Sequence, residues 1–331
     1  MSTIERPDIG LTGADSGAAQ ASQRGGAVTA WAIFGALWVV ISAQAIVRWV
    51  LSDQFAPVSP AGPDVYPVWR LASLRVLEVI SFAVLLGFIW FCVIKPVRRD
   101  GRLSLDGKLV ISGLFGAIAD ACLNLQTYLF AWKAHSVNLG VWTAFLPFHN
   151  VDSSSRYAEA LLWGVPMYIY LNTGAAIIGC RLVLALRRRF PRISNMSAFA
   201  ILYALFFAGS LLLENAIIRL TQAYAYVQTP GSVTLFAGSL YQFPIYESIF
   251  VAAISLAYTG VRLSAIDSPD GVSWVERGYQ RWRPALREAV RLLAIVGFGV
   301  AAFLVLYHLP LNWLGIIGDS HATLPSYMLA R

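Results

Sequence analysis

The sequence predicts an all-α fold, a polytopic integral membrane helical bundle with about seven transmembrane helices and a cytoplasmic N-terminus, and three observations carry that expectation. The chain is 57% hydrophobic and 13% charged, with a mean hydropathy of +0.62, too apolar for a soluble domain of this length. It holds several unbroken apolar runs of the ~20 residues that a bilayer crossing requires. Its arginines collect in the loops between alternate runs, as the positive-inside rule describes. The formal charge of +7 therefore reports orientation, and no nucleic-acid partner is expected.

Residues 1–26 are rich in Gly, Ala, Ser and Gln and lack an apolar core region, so they read as a disordered tail without a signal peptide. Residues 27–310 form the transmembrane domain. The first span runs from about Val28 to Val50 and carries Gln44 and Arg48, and a Pro-rich linker, Pro57 to Pro67, follows it. The second, about Leu71 to Ile94, places Arg75 and Glu78 three apart on one face, where they can pair. After the basic loop Lys95 to Lys108 the third span is expected over Leu109 to Trp132, leading into an aromatic loop with His135, Trp142, Pro147, Phe148, His149 and Asn150. The fourth, about Ala158 to Leu186, contains Tyr168, Tyr170 and Asn172 and ends in the arginines 187–192. The fifth, about Ser197 to Gln222, holds Glu214, Asn215 and Arg219; the sixth, about Tyr241 to Val261, opens with Tyr246 and Glu247 after Pro244. Arg277 to Arg287, with Trp274, Tyr279 and Trp282, suits a helix lying at the interface. The seventh span is about Ala289 to Leu309, and residues 311–331 form a short extracytoplasmic tail. Cys92, Cys122 and Cys180 all fall inside apolar spans, so no disulfide framework is implied.

With the three basic loops on the cytoplasmic side, counting ~1.5 Å per residue places the polar side chains in depth. Gln44, Arg48, Arg75, Glu78, Asn124, Tyr128, Glu159, Glu214, Asn215, Arg219, Tyr241, Gln242, Tyr246 and Glu247 fall in the outer half, with Asp120 and Asn172 near the middle. Facing lipid, one such carboxylate costs about 2.5–3.5 kcal/mol, so the set converges inside the bundle on an outward polar cavity. Arg48, Arg75, Glu159 and Tyr241 are read as snorkelling at the rim. The deeper Asp120, Glu214 and Glu247 are the catalytic candidates, with Asn124, Tyr128, His149, Asn150, Asn172, Asn215, Arg219 and Tyr246 as substrate-binding candidates. Asp120 and Asn124 are four apart on one helical face, and Tyr128 extends it by a turn. The plainer alternative is that Asp120 hydrogen-bonds a neighbouring helix.

Residue types exclude several classes. Only Lys95, Lys108 and Lys133 are lysines, and none sits in the last span, where a retinal protein needs one. The orientation is opposite to that of hormone-type seven-helix receptors. The four histidines have no ligand spacing, so no metal is expected, and no nucleotide or cofactor fingerprint is present. What fits is acid/base chemistry on an apolar, hydroxylated small molecule. A carboxyl group out of water keeps its proton more readily and can act as general acid, while another stays ionised beside a developing oxocarbenium ion and Arg219 favours whichever carboxylate it approaches.

The stretches Asp120-Ala-Cys-Leu-Asn124, Pro147-Phe-His-Asn150, Glu214-Asn215 and Tyr246-Glu247, with the length and layout of the whole bundle from about Ala30 to Leu309, resemble the AveC-like spirocyclases of actinobacterial polyketide biosynthesis. The resemblance implies closure of a dihydroxy-ketone to a spiroketal with loss of water, and in some members a further dehydration. It implies a lipophilic substrate, membrane lipid as the surroundings and the bacterial cytoplasmic membrane as the location. It assigns no catalytic residue. The alternative function is a transporter or lipid-binding protein whose carboxylates titrate in the outer cavity.

Overall fold

Six helices in the computed structural model, which describes residues 26–149 and 158–329, are long and apolar enough to cross a membrane. Of the expected tail, residues 1–26, all but Gly26 lie outside the described residues, as does Asn150. In chain order the long helices are α1 (Ala27–Val50), α2 (Val68–Asp100), α4 (Gly164–Arg189), α5 (Asn195–Thr221), α6 (Ile245–Ile266) and α7 (Pro284–Ile316). Between α2 and α4 lies a shorter seventh helix, α3 (Leu105–Ala119), tightened into a 3-10 turn over Asp120–Asn124. The chain is thus a membrane-embedded all-α bundle, with α3 and α7 packed at its centre and the lipid-sized faces of α2 and α5 largely exposed.

The third span departs from the expected Leu109 to Trp132. The α-helix stops at Ala119, because the Asn124 side chain takes over the backbone groups that would have continued it. Its oxygen accepts from the N–H of Leu129 and of Phe130, both at 2.9 Å, and its amide donates to the Phe130 carbonyl at 2.6 Å. Such a side chain competes with the helix for main-chain partners. The chain reverses, Tyr128 leaves the helical face, and β1 (Phe130–Trp132) begins.

β1 pairs antiparallel with β2 (Tyr224–Tyr226), setting Phe130 opposite Tyr226 and Trp132 opposite Tyr224. Two further short ladders join β3 (Gln228–Thr229) to β6 (Ser320–His321) and β4 (Thr234–Leu235) to β5 (Phe243–Pro244). They make a cap on the face opposite the basic loops. The C-terminal segment belongs to it: α7 runs on to Ile316 instead of ending near Leu309, and Tyr327 and Met328 are buried. Lys133 sits in the cap with its Nζ 3.1 Å from the Tyr66 ring centre and 3.6 Å from that of Tyr327. Burial, together with the Arg70 charge, pushes its amine down to about 6.

Three π-helical turns interrupt the long helices. Ile89–Ile94 and Leu304–His308 precede Pro96 and Pro310, whose missing N–H breaks the i→i−4 ladder. At the first, the freed Cys92 carbonyl accepts from Ser104 Oγ at 3.0 Å. The third, Tyr170–Gly174, precedes no such proline and carries Asn172.

On the basic-loop side, the expected interfacial helix over Arg277 to Arg287 is absent. Turns and single 3-10 turns replace it, and Trp274 packs inward on Trp31 and Phe298. This half also buries an ion-pair cluster: Lys108 and Glu276, both almost fully buried, pair at 2.8 Å, and Arg291 reaches the same Glu276 oxygen at 2.9 Å.

Helices α1 and α7 cross in backbone contact. A Cβ built on Gly35 would fall on the Leu293 carbonyl, and one on Gly297 on the Trp31 carbonyl. Without a hydrophobic effect between helices in lipid, close approach of small residues is what holds such a crossing. Gly297→Val is expected to cost about 3 kcal/mol by overpacking, read as loss of the monodisperse peak in detergent gel filtration.

Candidate active site

Two carboxylate centres lie beneath the cap, with Asp120 and Glu247 buried and Glu214 partly exposed. The first is built on Asp120, which the end of α3 holds at 2% exposure. The Tyr168 phenol donates to its Oδ1, and His308 Nε2 lies 3.1 Å from the phenol oxygen. Glu159 and the Trp132 indole complete the polar surroundings of this carboxylate. Glu159, expected to snorkel at the rim, is 3% exposed, because the residues after Ala158 fold in against Gly140, whose carbonyl accepts from the Glu159 N–H at 3.0 Å. Each carboxylate taken out of water must gain hydrogen bonds in exchange.

The second centre joins α5 to the first turn of α6. Ser210 Oγ lies 2.9 Å from Oε1 of Glu214 and 3.3 Å from Oε2 of Glu247. Tyr224 donates to the other Glu214 oxygen at 2.8 Å, and Tyr307 to Oε1 of Glu247 at 3.4 Å. Ser248 Oγ is 3.4 Å from Glu247 Oε2. One serine hydroxyl carries one proton, so it satisfies only one of the two carboxylates at a time.

Aromatic side chains connect the centres. Trp132, beside Asp120, is the cross-strand partner of Tyr224, which donates to Glu214. Phe130 stacks on Tyr224 at 4.9 Å, Trp163 stacks on its ring at 5.6 Å, and Trp132 meets Trp163 edge-on at 4.9 Å. On the other side the π turn of α7 turns two consecutive residues inward: Tyr307 reaches Glu247 while His308 reaches Tyr168. The arrangement can move protons at two separate points.

A model of the spirocyclase AveC-like family matches residues 100–324. The chain belongs to this family. No curated protein and no solved structure matches it. The AveC-like match contains every residue of both centres and leaves out α1 and nearly all of α2. Membership supports a cyclase-type function in polyketide biosynthesis.

The remaining candidates of this AveC-like chain are dispersed. Asn172 is fully buried in its π turn, with no hydrogen bond to either amide atom among the described residues. The Tyr246 hydroxyl is likewise buried and without such a bond. Asn215 donates to the Leu211 carbonyl of its own helix at 2.8 Å, and Tyr128 donates to the Met328 carbonyl at 3.4 Å. Arg219 approaches no carboxylate among the described residues; it lies 4.3 Å from the ring centre of Phe236 in the cap, where an aromatic face takes the guanidinium. His149 lines a groove of about 420 Å³ with Ile41, Gln44, Arg48 and residues 144–148. Glu159, Trp132, Tyr224, Tyr307 and His308 were not among the sequence candidates. Aromatic residues in apolar runs carry no signal that separates them from packing, and His308 has no ligand-spaced companion.

Proposed function

We propose that the protein is a membrane-embedded cyclase of spirocyclase type, closing a lipophilic, polyketide-like hydroxy-ketone to a spiroketal or related ring with loss of water. The observation that carries this is the pair of carboxylate centres beneath the cap, each with phenol partners, joined by one aromatic ladder. In such a closure a hydroxyl adds to the ketone carbon and gives up its proton to the protein, while a proton is delivered to the carbonyl oxygen. The resulting hemiketal hydroxyl leaves as water after taking a second proton. The oxocarbenium ion that remains is captured by a second hydroxyl, whose proton returns to the protein. Two proton-handling centres suit this sequence. With the basic loops cytoplasmic, the cap and both centres lie toward the outer side of the cell membrane.

The test is deletion of the gene in its native host, with complementation by wild type or by Asp120→Asn and mass spectrometry of extracted metabolites. The expected result is a hydroxylated precursor one water heavier than the product, accumulating in the deletion strain and in the Asp120→Asn strain but not with wild type. Compounds that change sides of the membrane without changing mass would replace this reading with transport.

A further inference from the structure

The groove bearing His149 contains no residue of either carboxylate centre, and the ring closure makes no use of it. Its volume of about 420 Å³ is within the range of small-molecule sites. One wall is a single face of α1, where Ile41, Gln44 and Arg48 recur at helical spacing, and the other is the loop over residues 144–149. Gln44 ties the walls together, its Nε2 donating to the Phe145 carbonyl at 2.8 Å. Helix α1 begins on the basic-loop side, where the Val28 N–H reaches the Arg277 carbonyl at 3.4 Å, and Arg48 lies in its last turn. Arg48 is therefore at the outer headgroup level, with Gln44 about 6 Å and Ile41 about 10 Å deeper along the helix. Val40 and Val47, which flank this face, are 64% and 55% exposed, so the groove borders lipid.

The chemistry of the walls selects the occupant. Among the described residues no carboxylate lines the groove, and the Phe145 ring is already met by the Arg48 guanidinium, 5.3 Å from its centre. A choline or ethanolamine cation would thus find no counter-charge there, whereas a guanidinium meets a phosphate through two parallel hydrogen bonds. His149 supplies a second polar contact. Its Nδ1 lies 2.7 Å from the Leu146 carbonyl, which only accepts, so Nδ1 carries the proton and Nε2 of the neutral ring is an acceptor. Such a nitrogen suits a headgroup hydroxyl. Phe148 stands at the lip, 85% exposed on a left-handed backbone (φ +64°), with its carbonyl held by Gln126. An acyl chain would cover that ring, which water does not favour. We infer that the groove binds an anionic, hydroxylated phospholipid of the outer leaflet, its phosphate on Arg48, a headgroup hydroxyl on His149 and an acyl chain descending past Ile41. The site stands independently of the cyclase reading.

The probes are phosphatidylglycerol and phosphatidylcholine with the same acyl chains, titrated against the delipidated full-length protein in detergent and read by native mass spectrometry. Wild type is expected to hold a first phosphatidylglycerol about tenfold more tightly than phosphatidylcholine, as befits hydrogen bonds between charged groups. Arg48→Gln is expected to bind phosphatidylglycerol about tenfold more weakly and to lose the preference. His149→Phe, which keeps a ring and removes the acceptor, is expected to weaken it about fivefold. Arg188→Gln, an exposed arginine of the basic-loop side, should leave the first site unchanged. Equal affinity of wild type for the two lipids would overturn the proposal, as would an Arg188→Gln loss equal to that of Arg48→Gln, which would mean attraction by net charge alone. Displacement of the lipid by an equal concentration of inorganic phosphate would make a free anion the occupant and overturn it too. If His149→Phe binds like wild type, the hydroxylated class falls. If Arg48→Gln does not remain monodisperse, the lipid preferences of wild type and His149→Phe decide.

Discussion

Glu214→Gln is expected to reduce conversion of the accumulated precursor by about 10²- to 10⁴-fold, the usual contribution of a positioned acid or base. The replacement keeps shape and volume, and the introduced amide retains hydrogen-bonding capacity toward Tyr224 and Ser210, so the protein should still fold and insert. What it removes is an oxygen that can gain and lose a proton. Glu247 would stay buried beside Ser210 and Tyr307, yet no second carboxylate would share its hydroxyl network. Turnover in isolated membranes, paired with detergent gel filtration, separates lost chemistry from lost protein. Turnover within a few-fold of wild type would remove Glu214 from the mechanism.

The bundle was legible because lipid imposes a length and a composition on each crossing, and the carboxylates of the second centre were legible for the same reason. Glu214 and Glu247 are costly in apolar spans wherever they point, so each announced itself singly. Their juxtaposition depends on how α5 meets α6, which no local pattern encodes. Asp120 and Asn124 show where spacing misleads. Four residues apart they promised a shared helical face, but Asn124 binds the backbone at Leu129 and Phe130 and ends the helix instead. The three-residue strands that place Trp132 over Tyr224 are too short for alternation to reveal. Glu159 looked like a rim residue because depth was counted along a span assumed to start at Ala158, whereas the helix starts at Gly164. Arg219 looked like a carboxylate partner, and tertiary structure gave it an aromatic ring instead.

Lys108→Met is expected to destabilise the fold by about 3–5 kcal/mol near neutral pH, the cost of leaving a buried charge short of its partner. Glu276 is fully buried and shared between Lys108 at 2.8 Å and Arg291 at 2.9 Å, with its second oxygen taking the Ser273 hydroxyl at 2.7 Å. Burial alone would raise this carboxyl group, but the Lys108 and Arg291 charges outweigh it and hold it below the usual carboxylate range. Its contribution is therefore present above the ordinary glutamate value of 4.5 and fades as the pH falls through the lowered folded value. Removing Lys108 takes away much of that bias. The carboxyl group then protonates at higher pH, so the deficit relative to wild type should be largest at pH 7 and shrink toward pH 4. The measurement is the midpoint of thermal unfolding in detergent, followed by tryptophan fluorescence across that range. A second variant sharpens it. Lys108→Met with Glu276→Leu removes both charges, and Arg291 keeps Glu288 at 2.7 Å. That pairing should recover most of the loss, because an apolar pair of similar volume replaces a buried ion pair at little cost. A double variant no more stable than Lys108→Met at pH 7 would mean that the loss comes from packing and not from the stranded charge.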